Sequence, residues 1–398
     1  MPASRSNPAA PKATASKRGK QAELPAYNTK AGYTQDYLYK LMLDSIEADA
    51  TDIHLCCGSQ PMRRINLDLK PIPGLQAPLD DEQILSFFDL LLTTGFTNHN
   101  CEVVRENLRI QGWADFAFSV EAATSRGNIY KNRTGYAMAL RFFHRKHINL
   151  DFLDMRHMIE FGNWEQGLIL LTGPTGSAKT TVASALLEWL NTHSPIHIAT
   201  IEDPVEYPIQ GNQALITQRS LTDHHVLSFA EGLKSLLRQD PDLIMIGEVR
   251  DREVLRQVFS AAETGHLVIT TMHAGSISDC FARMTGMFEP EEQDRIRTTL
   301  AGINTVVVNQ RLVHSTTTGH AELLHELFHN REIDGAFSTI RDGAWVNIQN
   351  MQITGANSGM RHWDKEAARL VREGRITRAV GETFARDKSF FQHLLDTK

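Results

Sequence analysis

Cysteine is scarce in this chain: four in 398 residues, none in a Cys-x-x-Cys pair. That excludes the disulfide framework of a small secreted fold and the paired thiols of a zinc module. Cys56 and Cys57 are adjacent, a poor arrangement for an internal disulfide, so these two, Cys101 and Cys280 read as reduced thiols of a cytosolic protein. Long apolar runs are missing too. None approaches the roughly 20 residues that span a bilayer, and the basic N-terminus has no apolar stretch behind it, so it does not read as a signal peptide. An excess of positive charge is also absent. With 41 Lys and Arg against 47 Asp and Glu the net charge is −6, and no basic stripe is interleaved with aromatics. Direct nucleic-acid binding is therefore not expected. There is no internal repeat.

What remains is the composition of a globular protein, 41% hydrophobic and 22% charged, long enough for two or three domains. Residues 1–33 are rich in Pro, Ala, Ser and Lys, and Arg5, Lys12, Lys17, Arg18 and Lys20 precede the first acid, Glu23. This predicts a disordered basic tail. A solvated arm is its plain reading, and a contact with an anionic membrane or a partner is the sharper one. From Thr34, Leu38, Leu41, Met42 and Ile46 recur at helical spacing. Strand-like pieces at 51–55, 114–120 and 136–143 and a helix near 81–93 suggest a small α/β domain over 34–150. From 151 to 398 the pattern changes. Apolar runs at 168–172, 197–201, 243–246 and 267–271 alternate with helical segments at 180–191, 227–238 and 251–263. Such alternation predicts a parallel sheet covered on both faces. Beyond about 275 the chain reads as more helical, with one strand near 321–328.

The first of those apolar runs leads into a glycine-rich loop, and a helical segment follows. The loop is Gly173, Pro174, Thr175, Gly176, Ser177, Ala178, Lys179 and Thr180. Strand, glycine-rich loop and helix together form a phosphate-binding loop: the helix N-terminus offers unpaired N–H groups and a partial positive charge. Lys179 would reach the terminal phosphates and the Thr180 hydroxyl would ligate Mg²⁺. Gly173 through Ser177 would cradle the nucleotide, and Thr181 completes the stretch. Ala178 stands where the pattern G-x-x-x-x-G-K-[ST] has its second glycine. At a helix start φ is expected to be negative, where alanine is allowed.

Three more segments place polar residues just beyond strand ends, where ligands sit in open α/β sheets. Ile201-Glu-Asp-Pro-Val-Glu-Tyr207 carries Glu202, Asp203 and Glu206. The strand at 243–246 ends in Gly247-Glu248, the form of a Walker B strand, whose carboxylate can orient water and act as base. The strand at 267–271 delivers His273. Singly these have plain readings: a cap or turn for Glu202 and Asp203, a structural role for one of 17 histidines. Their order, each at a strand end, argues for a common site.

With these segments in view the chain resembles the secretion and type IV pilus traffic ATPases, on the PilT-type branch. The segments that carry the likeness are G-P-T-G-S-A-K-T-T, I-E-D-P-V-E-Y, L-R-Q-D-P-D-L-I-M-I-G-E-V-R-D and A-E-T-G-H-L-V-I-T-T-M-H. The resemblance is tight over 167–274 and looser elsewhere. It implies a PAS-like N-terminal domain, to which Ala50-Thr-Asp-Ile-His-Leu55 is similar, and a RecA-like P-loop C-terminal domain. It further implies a hexameric ring in which ATP sits between the two domains at subunit interfaces and domain rotation does mechanical work. Residue by residue, Lys179 and Thr180 hold phosphate and Mg²⁺, Glu248 orients water, and Glu202 is a second acid at the γ-phosphate, to which His273 couples. Which of Glu202 and Glu248 is the base stays open. Arg126, Arg133 and Arg141 are similar to family arginines that reach across a subunit interface to the phosphates; a surface or salt-bridge role is the alternative for each. The implied partners are copies of the chain and the inner-membrane parts of a machine, in a cytoplasmic protein peripheral to that membrane.

Departures refine the branch. The lack of a four-cysteine zinc module disfavours the pilus-assembly and type II secretion members. Residues 335–342, Gly-Ala-Phe-Ser-Thr-Ile-Arg-Asp, keep little of the retraction motors' A-I-R-N-L-I-R-E helix beyond Ile340-Arg341. That turns the expectation toward type IVB secretion and conjugative-transfer ATPases, with pilus retraction and a nucleotide-binding scaffold with impaired hydrolysis as alternatives. Two matches are decoys. His325-Glu-Leu-Phe-His329 satisfies H-E-x-x-H, but a strand is expected there, and strand residues four apart are about 13 Å apart, so no zinc site is expected. Asn132-Arg-Thr134 is a sequon without meaning in a cytosolic protein.

Overall fold

Hydrophobic alternation builds the first of two sheets. The computed structural model describes residues 34–75, 77–94, 101–120, 123–145, 149–222, 225–316 and 320–397, and the basic tail expected over 1–33 lies outside them. Thr34 caps α1 (Gln35–Glu47) by accepting the Tyr37 N–H, and Leu38, Leu41, Met42 and Ile46 are buried, as their spacing requires. Strands β1 (Asp52–Cys56), β2 (Met62–Ile65) and β3 (Asp68–Pro71) follow. Next come α2 (Asp81–Thr94) and α3 (Cys101–Gln111), then β4 (Trp113–Val120), β5 (Ala123–Asn132) and β6 (Gly135–His144). The order is β3-β2-β1-β6-β5-β4, antiparallel throughout. Ala114, Phe116, Phe118 and Val120 of β4 point inward and join Phe87, Phe88 and Leu91 of α2 in one core. The register sets Asp52 opposite Arg141, and Arg141 opposite Arg126.

A short helix, α4 (Met158–Gly162), precedes the second sheet. Its elements run β7 (Gly167–Thr172), α5 (Lys179–His193), β8 (His197–Glu202), β9 (Leu215–Ser220), α6 (Phe229–Leu236), β10 (Leu243–Ile246), α7 (Arg252–Glu263), β11 (Leu267–Met272), α8 (Ile277–Gly286), α9 (Pro290–Gly302), β12 (Thr305–Val313) and β13 (Glu322–His329). Strand order is β13-β12-β7-β11-β10-β8-β9. All neighbours are parallel except β13, which pairs antiparallel with β12. β7 is buried along its whole length. Leu168 and Leu170 face the layer of α6–α9, while Ile169 and Leu171 face α4 and α5, the two-sided burial that the continuous apolar runs demand. Helices α10 (Ala336–Arg341), α11 (Asn347–Thr354), α12 (Trp363–Arg372), α13 (Arg378–Phe384) and α14 (Lys388–Asp396) complete the chain. The last three close over Val313 and Leu324 through Trp363, Leu370 and Phe391. No helix among the described residues is long and apolar enough to cross a membrane.

Candidate nucleotide site

The C-terminal ends of β7, β8, β10 and β11 converge on one cavity of about 770 Å³. Its floor is the loop between β7 and α5, where Thr175 and every residue from there to Thr181 line the cavity. Thr175 is exposed at the crest of the loop, as are Pro174 and Gly176 on either side. Gly173 sits at φ 143°, where a Cβ would lie 2.2 Å from the Gln310 carbonyl oxygen; Gly176 sits at φ 75°. Lys179 is buried, and its ammonium donates to the carbonyls of Gly173 (3.0 Å) and Pro174 (2.9 Å). Burial pulls its pKa down, while Glu248 and Glu206 pull it up. The Ser177 hydroxyl is buried in the loop without a hydrogen-bond partner. A glycine whose Cβ position is filled by backbone, together with a buried unpaired hydroxyl at a helix N-terminus, is a cradle that suits a phosphate.

Ala178 corrects one expectation. It is the N-cap of α5, and its angles are φ 66° and ψ 27°, in the left-handed region rather than at negative φ. The first helical turn does not govern it; the loop that arrives from Gly176 does. An L-residue there carries strain of about 1–2 kcal/mol that glycine would not.

The acids occupy distinct positions. Glu202 ends β8, is 4% exposed, and accepts from the Thr200 hydroxyl (2.7 Å) and the Gln218 amide (3.1 Å). Burial raises its pKa to about 7 against those two hydrogen bonds. Burial raises the Glu206 pKa, while the neighbouring Thr180 hydroxyl, Arg141, Arg126 and Lys179 lower it. Glu248 follows β10 at the cavity wall, paired with Arg250, and its Oε2 lies 3.9 Å from His273 Nε2. Burial and then Lys179 lower the His273 pKa, with Glu248 opposing. The carbonyl of Gly247, next to Glu248 in the chain, accepts from the Thr271 hydroxyl at 2.7 Å.

Arg126 and Arg141 line the opposite wall, facing the same chain's loop. Arg141 donates to Asp52 at 2.8 Å, and Arg126 lies 3.8 Å from Asp115. Arg133 is exposed in the turn between β5 and β6 and is not among the residues lining the cavity. Tyr207 bridges the walls: its ring packs edge-on against Phe143 and its hydroxyl is 3.2 Å from that of Thr181. Sequence reasoning misses two residues of the site. Gln310 of β12 donates to the Ser177 carbonyl (2.7 Å), and its neighbour Asn309 donates to the Thr172 hydroxyl (2.8 Å). The available signal is the run Val306-Val-Val308 ending in two amides, the same strand-to-polar change seen at Thr172 and Glu202. The H-E-x-x-H histidines lie on β13, where a strand was expected. His325 stacks on His157 with ring centroids 5.1 Å apart, and His329 is bonded to the Ser358 carbonyl.

The family described as "Type II/IV secretion system protein" matches residues 132–378. This chain belongs to that family. It is 34% identical over 334 residues to "Uncharacterized protein YggR" of Escherichia coli K12, covering 83% of this chain and 97% of that one. It is 32% identical over 342 residues to the "Type IV pilus retractation ATPase PilT" of Pseudomonas aeruginosa PAO1, covering 85% and 95%. Among solved structures, the pilus retraction motor PilT with bound ADP superposes with a TM-score of 0.74 at 28% identity, over 89% of this chain and 98% of that one. The Yersinia pseudotuberculosis ATPase DotB gives a TM-score of 0.75 at 20% identity, over 92% and 99%, and shares the fold. The two sheets are thus the N-terminal domain and the RecA-like C-terminal domain of this fold.

Proposed function

We propose that the chain is the Mg-ATP-hydrolysing motor of a homo-hexameric ring that drives a bacterial type IVB secretion or conjugative DNA-transfer machine from the cytoplasmic face of the inner membrane. The observation that carries the ATPase reading is the single cavity in which the phosphate loop, Glu248 and His273 face Arg126 and Arg141. The amides of the loop from Thr175 onward and of the first turn of α5 would bind phosphate oxygens, and Lys179 would leave its own loop's carbonyls to join them. Mg²⁺, when bound, neutralises charge on the phosphate oxygens; Thr180 would hold it, with Glu206 alongside. Glu248 orients the attacking water and takes its proton: both acids line the cavity, but the Glu248 side chain is 20% exposed beside His273, while Glu202 is 4% exposed and accepts from Thr200 and Gln218. With a pKa near 7, Glu202 keeps its proton through part of the physiological range and limits the negative charge below the phosphates. His273 orients Glu248. Arg126 and Arg141 supply permanent cations from the other wall. Arg133 takes the plain surface role.

The secretion and transfer branch rests on residues 335–342, which depart from the retraction motors' helix. Pilus retraction is the second reading, favoured by 32–33% identity to retraction and twitching-motility proteins over most of both chains. Phosphate release by wild type, compared with Lys179→Ala, tests the enzyme; equal rates overturn it. Deletion and complementation in the source bacterium, scoring DNA transfer, effector secretion and pilus motility together, tests the machine. Loss of motility alone gives the second reading.

A further inference from the structure

Beneath residues 273–275, where β12 and β13 meet the C-terminal helices, lies a buried polar junction with no part in the mechanism above. Its acceptor is Glu326, the glutamate of the H-E-x-x-H decoy, 1% exposed. Its Oε1 accepts from the Ile277 N–H that opens α8 (3.1 Å) and from Arg386 Nη2 (2.7 Å); its Oε2 accepts from Gln352 (3.3 Å). Next to it Asn309, 2% exposed, donates from Nδ2 to the Thr172 hydroxyl and, at 3.0 Å, to the Ala274 carbonyl. Arg386 Nη2 also reaches Asn309 Oδ1 (3.2 Å) and the Gly275 carbonyl (3.1 Å). One guanidinium nitrogen therefore touches β12, β13 and the segment after β11.

Arg386 is itself held in place. It lies between α13 and α14, and its N–H donates to Asp364 Oδ1 at 2.8 Å, while the next N–H, of Asp387, takes Oδ2 at 3.0 Å. Its guanidinium stacks over the Trp363 ring at 4.4 Å. A planar cation fixed by stacking and by its own backbone can hold several acceptors in one geometry, which a lysine ammonium on a flexible stem cannot. Two of the groups it reaches adjoin the chemistry: Gly275 stands two residues after His273, and Asn309 grips Thr172, the last residue before Gly173.

We propose that Arg386 is a positioning residue for hydrolysis. It acts through Asn309 and the Gly275 carbonyl to set the segment carrying His273 against the start of the phosphate loop, and so couples the C-terminal helices to the site. This role rests on the ATPase reading given above.

The test uses the full chain and five proteins: wild type, Lys179→Ala, Arg386→Lys, Asn309→Ala and the double variant Arg386→Lys with Asn309→Ala. Steady-state phosphate release gives kcat and KM, binding of a fluorescent ADP analogue gives affinity, and thermal denaturation reports folding. Arg386→Lys keeps a cation beside Glu326, so the chain stays folded. Its kcat falls about 10- to 100-fold, as expected for a displaced catalytic group, while affinity for the analogue changes by less than about 3-fold. Asn309→Ala, which leaves the Arg386–Glu326 pair intact, shows the same split. The double variant is no slower than the slower single one, because the two act as a unit. The role is overturned if Arg386→Lys retains kcat within about 2-fold of wild type, or if kcat, affinity and folded fraction fall together. Wild type as slow as Lys179→Ala overturns the ATPase reading, and this role with it.

Discussion

Ala178 and Glu202 each hold a conformation or a proton that their residue type resists. At φ 66° the Ala178 methyl is crowded by its own backbone. Ala178→Gly is expected to raise stability by about 1 kcal/mol, seen as a melting temperature higher by about 2 °C; an unchanged or lower melting temperature rules the strain out. Glu202 binds a proton more tightly in the folded chain (pKa about 7) than in the unfolded one. The sign follows: its protonated form favours the fold, and stability falls as pH rises from about 4.5 toward 7, by an amount on the order of 3 kcal/mol. Glu202→Gln should remove that slope. Urea midpoints at pH 5 and pH 8 measure it, and a variant with the wild-type pH dependence would contradict the burial argument.

Elements were legible in proportion to how continuously they are buried. β7, β8, β10 and β11 stood out as apolar runs because both of their faces are covered. β2, β3 and β9 are half-exposed or exposed, with charged and polar residues inside them, and left no such run. Without β9 the partner of Glu202, Gln218, could not be found, although Glu202 itself marked a strand end. β12 was hidden because its apolar half gives way to Asn309, Gln310 and Arg311. The left-handed Ala178 was illegible for another reason: a local rule for helix starts lost to the turn entering the loop. On β13 the strand expected from the sequence is present, and on it His325 stacks on His157. Burial pulls both pKa values down, to about 3 and about 2. As pH falls below about 6.5 the unfolded chain takes up protons that these rings refuse, so stability falls with falling pH. His325→Leu should therefore gain more stability at pH 5 than at pH 8, again by urea midpoints. An equal gain at both would show that the ring does not titrate on unfolding.

Across the whole molecule, the segment between the two sheets is tied to the far end of the chain. Asp154 Oδ2 accepts from Arg369 (2.6 Å) and Arg375 (2.8 Å), and Arg375 also pairs with Glu322 of β13. Burial pushes the Asp154 pKa up, and the two arginines together outweigh it and hold it below the usual carboxylate range. Asp154→Ala leaves two partly buried guanidinium groups sharing one carboxylate fewer. It is expected to destabilise the chain by about 1–3 kcal/mol; chemical denaturation is the check, and no change would show that solvent screens the network.

The two ends of the phosphate loop differ in what can be varied. At Gly173 main chain faces main chain, with the Gln310 carbonyl where any side chain would begin. Substitution there can only break the fit, because no side chain sets it. At 178 the residue is a partly buried alanine packed on the α5 side of the sheet, and a methyl more or less is a graded change. The loop has one fixed jaw and one adjustable jaw, and turnover can be tuned without rebuilding the sheet only at the second.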